Sequence, residues 1–109
     1  MNVSFEEIGR LAVTFAAGEN LAAGQVCKVS GNGAVDVCAE GDDFCGIAEG
    51  VRNGWAAVQV AGFAEVSISG TVELGYVNLC ADGEGGVKAG GNNRYLVVSV
   101  SDKTAVIKL

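Results

Sequence analysis

The chain contains no proline and no histidine, and only seven of its 109 residues are aromatic. Without histidine, the Ser-His-Asp and Cys-His arrangements that activate a nucleophile cannot be built. A metal site of mixed histidine and carboxylate ligands is excluded for the same reason. Because aromatic side chains are scarce, valine and alanine must fill the core. Such a core gains little per residue, at about 25 cal/mol for each Å² of apolar surface removed from water. Burial between subunits would therefore help this chain, which favours a homo-oligomer.

A long apolar run and a basic stripe are also missing. No segment approaches the roughly 20 apolar residues that a membrane span needs, and the first ten residues, MNVSFEEIGR, lack the basic start of a signal peptide. The seven basic residues are scattered singly in a chain of net charge −6, whereas proteins that bind duplexes carry clustered positive charge. We expect no membrane or nucleic-acid partner, and a cytosol-like compartment until assembly.

The four cysteines do not have the spacing of a zinc site, because no C-x-x-C pair occurs among Cys27, Cys38, Cys45 and Cys80. In a reducing compartment they are expected to be small buried apolar side chains. The alternative is a strained or adventitious disulfide between Cys38 and Cys45, which flank an acidic turn.

Carboxylates and glycines give no catalytic pattern. Asp42-Asp43 and Glu6-Glu7 are adjacent pairs, and adjacent residues of a strand point to opposite faces, so we expect solvated acids. The loop ADGEGGVK at 81–88 resembles a phosphate cradle, but it lacks the G-x-x-x-x-G-K-[ST] order and no helix follows it. A hairpin turn is the better interpretation. We expect no enzyme activity, no metal and no cofactor.

The chain does contain 17 glycines and a pattern that occurs twice. Residues 24–35, GQVCKVSGNGAV, and 75–87, GYVNLCADGEGGV, each have an alternating apolar run, a glycine-rich turn and a valine that restarts a strand. Two similar hairpins in so short a chain predict a compact all-β module.

Alternating apolar residues predict further strands along the chain. The first is at 11–15, and the segment at 44–51 is short and mixed. A ribbon over 55–69 is interrupted at Gly62, which predicts a bulge or corner. The last hairpin joins 95–100 to 104–109. We expect an all-β fold: a single small β-barrel or β-tulip-like sandwich of about eight short strands over 11–109, without a major helix. Residues 1–10 are predicted to form an N-terminal arm.

Four segments together resemble the head decoration (capsid cement) proteins of tailed bacteriophages and prophages: AGQVCKVSGNGAV with DDFCGIAEG, VQVAGFAEV, GYVNLCADGEGGVK and YLVVSVSDKTAVIKL. The resemblance spans about residues 11–109. It implies a compact β-domain that binds the outside of the assembled head, next to the major capsid protein, as a homo-oligomer that is often a trimer. The location implied is the virion surface.

The resemblance also suggests where contacts lie. In the family an N-terminal arm commonly contacts the major capsid protein, and at that position this chain carries Asn2, Val3, Phe5 and Ile8. Arg52, Trp55 and Tyr95 are candidates for contacts between subunits. Two alternatives stay open: another virion structural component, such as a head–tail joining or tail protein, and a small ligand-binding β-barrel.

Overall fold

A computed structural model describes residues 10–109, and these residues form β-strands and no helix. The all-β class expected from the sequence is confirmed. In chain order the strands are β1 (Leu11–Ala17), β2 (Val26–Gly31), β3 (Ala34–Val37), β4 (Gly46–Arg52), β5 (Trp55–Ala61), β6 (Phe63–Ser67), β7 (Gly75–Ala81), β8 (Val87–Ala89), β9 (Asn93–Val100) and β10 (Thr104–Lys108).

The described residues thus contain ten strands, more than the eight or so expected. The mixed segment at 44–51 proves to contain most of a strand, β4. The ribbon at 55–69 divides at Gly62, whose φ of +92° is accessible to glycine and strained for other residues. The corner predicted at Gly62 is therefore confirmed, and it separates β5 from β6.

The first five strands form a closed barrel in the order β1-β3-β2-β4-β5, and β5 returns to β1. Neighbouring strands are antiparallel except β1 and β3, which are parallel. That parallel seam has only two residue pairs, Ala16 with Ala34 and Ala17 with Val35. A very short seam therefore closes the barrel.

The last five strands repeat this arrangement. Their order is β6-β10-β9-β7-β8. When β6 to β10 are replaced by β1 to β5, this order becomes β1-β5-β4-β2-β3, which is the order around the closed barrel read in the opposite direction. Just beyond β6, Ile68 forms a parallel bridge with Val87 of β8. The Ser69 N–H donates to the Val87 carbonyl at 2.9 Å, as the Gly18 N–H donates to the Val35 carbonyl at 2.8 Å. We call residues 11–61 the first unit and residues 63–108 the second unit.

The two units also agree in register. Phe15 lies opposite Ala56 in the first unit, and Val66 lies opposite Ala105 in the second. The fourth strand of each unit also has one extra, unpaired residue at the same place in the ladder that it forms with the fifth strand. This residue is Glu49 in the β4–β5 ladder and Val98 in the β9–β10 ladder. A shared β-bulge, added to a shared strand order, shows that the repetition includes all five strands of each unit and extends well beyond the hairpins.

Two apolar clusters hold the described residues together. One fills the barrel of the first unit: Leu21, Cys27, Val35, Ala48, Ala56 and Val58. The other combines second-unit side chains such as Leu79, Val97 and Ile107 with first-unit side chains such as Val26, Phe44 and Ile47. Because the second cluster contains side chains from both halves of the chain, it joins the two units.

The predicted arm falls almost wholly outside the described residues. Its expected contact residues lie there too: Asn2, Val3, Phe5 and Ile8. Arg10 is described; it is exposed, and its guanidinium forms an ion pair with the carboxylate of Glu49.

Candidate interaction surface

Two of the predicted contact residues, Arg52 and Trp55, lie side by side at the hairpin between β4 and β5. They are cross-strand partners on either side of the two-residue turn Asn53-Gly54. Both turn residues have positive φ, +52° for Asn53 and +79° for Gly54, as a tight hairpin requires. Trp55, the only tryptophan of the chain, is left 58 % exposed.

A shallow groove of about 480 Å³ runs beside this hairpin on the outer face of the barrel. Its floor is a row of small cross-strand neighbours, Gly50, Ala57 and Thr14. Trp55 and Arg52 belong to the next row and border the groove. The surface is therefore a concave strip with an exposed indole at one side, which suits contact with a protruding apolar or aromatic side chain.

The second unit shows that this groove is not a requirement of the fold. At the places of Thr14, Gly50 and Ala57, it carries Glu65, Ser99 and Val106, in the same register. At the place of Trp55 it carries Thr104. Longer side chains occupy the floor positions and a threonine takes the place of the tryptophan, so the groove is particular to the first unit.

Tyr95, the third candidate, lies elsewhere and is engaged within the chain. Its ring stacks on Phe44 with centroids 4.7 Å apart and planes 13° apart, and its hydroxyl donates to the Phe44 carbonyl at 3.2 Å. The pKa of Tyr95 is raised, mainly because its hydroxyl is partly buried. Tyr95 packs the loop before β4 onto the second unit, and it does not adjoin the Arg52–Trp55 groove.

The floor of the groove was not identified from the sequence. Gly50 and Ala57 are small residues inside strands, and alone they indicate nothing about binding. The signal that could have found them is the Asn-Gly turn, because a two-residue hairpin fixes which residues of β4 and β5 face each other. This register holds from the turn to the Gly50–Ala57 pair, and the extra residue Glu49 shifts the pairing only beyond it. Thr14 belongs to β1, whose pairing with β5 is fixed by no local turn.

All four cysteines are free thiols; Cys27, Cys38 and Cys80 are buried and Cys45 is half-buried. Burial raises the pKa of Cys38 to about 11. Hydrogen bonding between Cys27 and Cys45 raises the pKa of Cys27 and lowers that of Cys45. Of the four, Cys45 is the one most accessible to solvent, while the three buried thiols serve as small apolar side chains, as the sequence predicts.

The glycine-rich loop at 81–88 is organised around its own carboxylate. Asp82 accepts hydrogen bonds from the N–H groups of Glu84 at 2.7 Å and Gly86 at 3.0 Å, and from the Ser69 hydroxyl at 2.7 Å. Burial acts to raise the pKa of Asp82, but these hydrogen bonds outweigh it and the pKa is lowered. The N–H groups that a phosphate would need are thus already used, in agreement with a hairpin turn.

The acidic turn after β3 is likewise tied into the structure. The Lys28 ammonium donates to the Asp42 carboxylate at 2.6 Å, and the Ala39 N–H donates to the same oxygen at 2.9 Å. The bond from Lys28 lowers the pKa of Asp42. Asp42 therefore holds the turn against β2.

Within residues 10–109, no group of three or more His, Cys, Asp or Glu side chains is placed to hold a metal ion. The same part of the chain has no helix of the length and apolar character that crossing a bilayer requires. No family model matches the chain, and no curated protein matches it.

Proposed function

We propose that this chain is a non-enzymatic decoration protein of a tailed-phage head, which binds the outside of the assembled shell and stabilises it as a homo-oligomer, in a trimeric arrangement. Its partners are the major capsid protein and further copies of itself, and its location is the virion surface. The proposal rests on the resemblance of residues 11–109 to that family. The structural observation that supports it best is the exposed Trp55 beside a groove with a small-residue floor.

The described body suits attachment. The barrel interior is filled by side chains, so the concave features available to a partner lie on the outside. Many identical weak contacts, repeated by the symmetry of a shell, give strong overall binding without a strong single contact. A protein that works in this way needs a packed body and a contact surface. The apolar cluster inside the barrel supports the first requirement, and the Trp55 groove supports the second.

The test is co-sedimentation of the purified protein with undecorated heads of the phage or prophage that encodes it. We expect the wild-type chain to sediment with the heads. Trp55→Ala should weaken binding by at least tenfold, since removal of a central aromatic anchor typically costs about 2 kcal/mol or more.

Tyr76→Ala is the matched control, because Tyr76 is an aromatic residue of the second unit with 64 % exposure. We expect this variant to bind as the wild type does. Equal losses for the two variants would contradict the assignment of the Trp55 surface. A wild-type chain that stays in the supernatant would overturn the proposal itself, and rings or tubes formed without heads would favour a head–tail joining or tail protein.

A further inference from the structure

Among residues 10–109, strand β1 is paired along its length on one side only. On one side, β5 pairs with it from Leu11 to Ala16. On the other side, β3 pairs only with Ala16 and Ala17. Within this part of the chain, residues 11–15 therefore present a strand edge without a partner strand, which we call the open edge.

The backbone groups of the open edge can be assigned from their neighbours. The Ala16 N–H donates toward β3, to the Gly33 carbonyl at 2.9 Å, and the Ala17 N–H donates the other way, to the Gly54 carbonyl at 2.8 Å. Because successive residues of a strand alternate in direction, the N–H and C=O groups of Thr14 and Ala12 point to the open side. No strand among residues 10–109 pairs with them there.

The open edge is also apolar. Val13 lies opposite Val58, a fully buried residue of the barrel, so Val13 and Leu11 belong to the inner face. They are nevertheless 39 % and 54 % exposed, since none of the strands β2 to β10 covers them. Natural proteins usually protect such edges with charge or proline. Residues 11–15 contain neither, whereas the second unit carries the exposed acid Glu65 at the place of Thr14.

We propose that the open edge of β1 pairs with the open edge of a second copy of this chain, antiparallel and centred on Val13. In this register Ala12 of each copy faces Thr14 of the other, and these are the residues whose backbone groups point outward. The two facing pairs would form about four N–H···O bonds. The two Val13 side chains would meet across the two-fold axis, with each Leu11 opposite Phe15 of the other copy.

A second copy is favoured over an unrelated strand for two reasons. The pattern of outward-pointing groups is symmetric about Val13, so the edge is complementary to itself. The edge is also uncharged within a chain of net charge −6, so two such edges meet without placing like charges opposite each other. The inference goes beyond the proposed function and does not depend on it, since it concerns the free chain in solution, whereas the trimeric arrangement proposed above is that of the chain on a shell.

The register can be tested by cross-linking in the full chain carrying Cys45→Ser, which leaves the three buried native thiols in place. Facing residues of a non-hydrogen-bonded antiparallel pair have Cα atoms about 4.5 Å apart, within the roughly 4.4–6.8 Å that a disulfide spans. Val13→Cys is therefore expected to give a covalent dimer on mild oxidation. Ala12→Cys, one residue away on the other face, should stay monomeric on a non-reducing gel. Equal cross-linking of both variants, or of neither, would overturn the proposal.

Sedimentation equilibrium tests the association without new cysteines. The wild-type chain should reach twice its monomer mass of 11.0 kDa. Val13→Glu, which places two acids across the axis, should raise the dimer dissociation constant at least tenfold. Val29→Glu is the control, because Val29 is an equally apolar residue of β2 with 61 % exposure, and this variant should dimerise normally. A wild-type monomer, or an oligomer that Val13→Glu leaves unchanged, would contradict the proposed pairing.

Discussion

At the scale of single residues, close approach between strands decides which glycines are indispensable. A Cβ on Gly46 would collide with the backbone oxygen of Gln59 and would lie 2.8 Å from a Val58 methyl carbon. Neither atom is the free end of a flexible side chain. A Cβ on Gly50, four residues along the same strand, would meet no atom within 4 Å, and the φ of Gly50 is not positive. One strand thus contains a glycine that packing requires and one that it does not.

We expect Gly46→Ala to lower the free energy of unfolding by about 1–3 kcal/mol, as is typical when a packed interior must accept an extra carbon. Gly50→Ala should be neutral or slightly stabilising, because it restricts the unfolded chain without a clash. Urea unfolding of both variants measures the difference. Equal stability of the two variants would show that the Gly46 contact is not limiting.

At the scale of elements, the strands follow from alternation but their partners do not. The hairpins β2–β3 and β9–β10 lie close to their predicted bounds, because turn residues and apolar period are local signals. The parallel seam between β1 and β3 is set by tertiary contacts that a two-residue side-chain period does not specify. Tyr95 shows the same limit: its partner Phe44 is 51 positions away, so its packing could not be anticipated.

The loop from β7 to β8 gives a prediction at this scale. Asp82→Ala removes the acceptor of three hydrogen bonds, and a hydrogen bond to a charged group typically contributes about 1.5–3 kcal/mol net of competition with water. Allowing for solvent access, we expect a loss of about 1–3 kcal/mol at pH 7.

The pH dependence of this loss has a definite sign. Because the folded pKa of Asp82 is lowered, its contribution is present above the unfolded pKa of about 3.9 and is lost as pH falls through the folded value. Stability measured from pH 7 to pH 2.5 should therefore converge for wild type and Asp82→Ala. Glu84→Gln, in the same loop, serves as the control. A difference that stays constant down to pH 2.5 would rule out the charged carboxylate as its source.

At the scale of the whole molecule, the second unit repeats the first in strand order, register and bulge. Only the hairpin part of this repetition is visible in the sequence. The remaining strands occupy equivalent positions in the two units, but few of their equivalent residues are of the same type. The comparison of units identifies what is specific to one of them. The first unit alone has the small-residue groove at Trp55 and the uncharged edge of β1, so both surfaces assigned to contacts lie on the same half.

The most direct test of attachment to a phage head is electron cryomicroscopy of such heads after incubation with the purified chain. We predict a small all-β density on the outer surface of the shell, with the Trp55 groove covered by the capsid protein or by a neighbouring copy. Shells without added density, or a bound molecule whose Trp55 groove faces open solvent, would contradict the account.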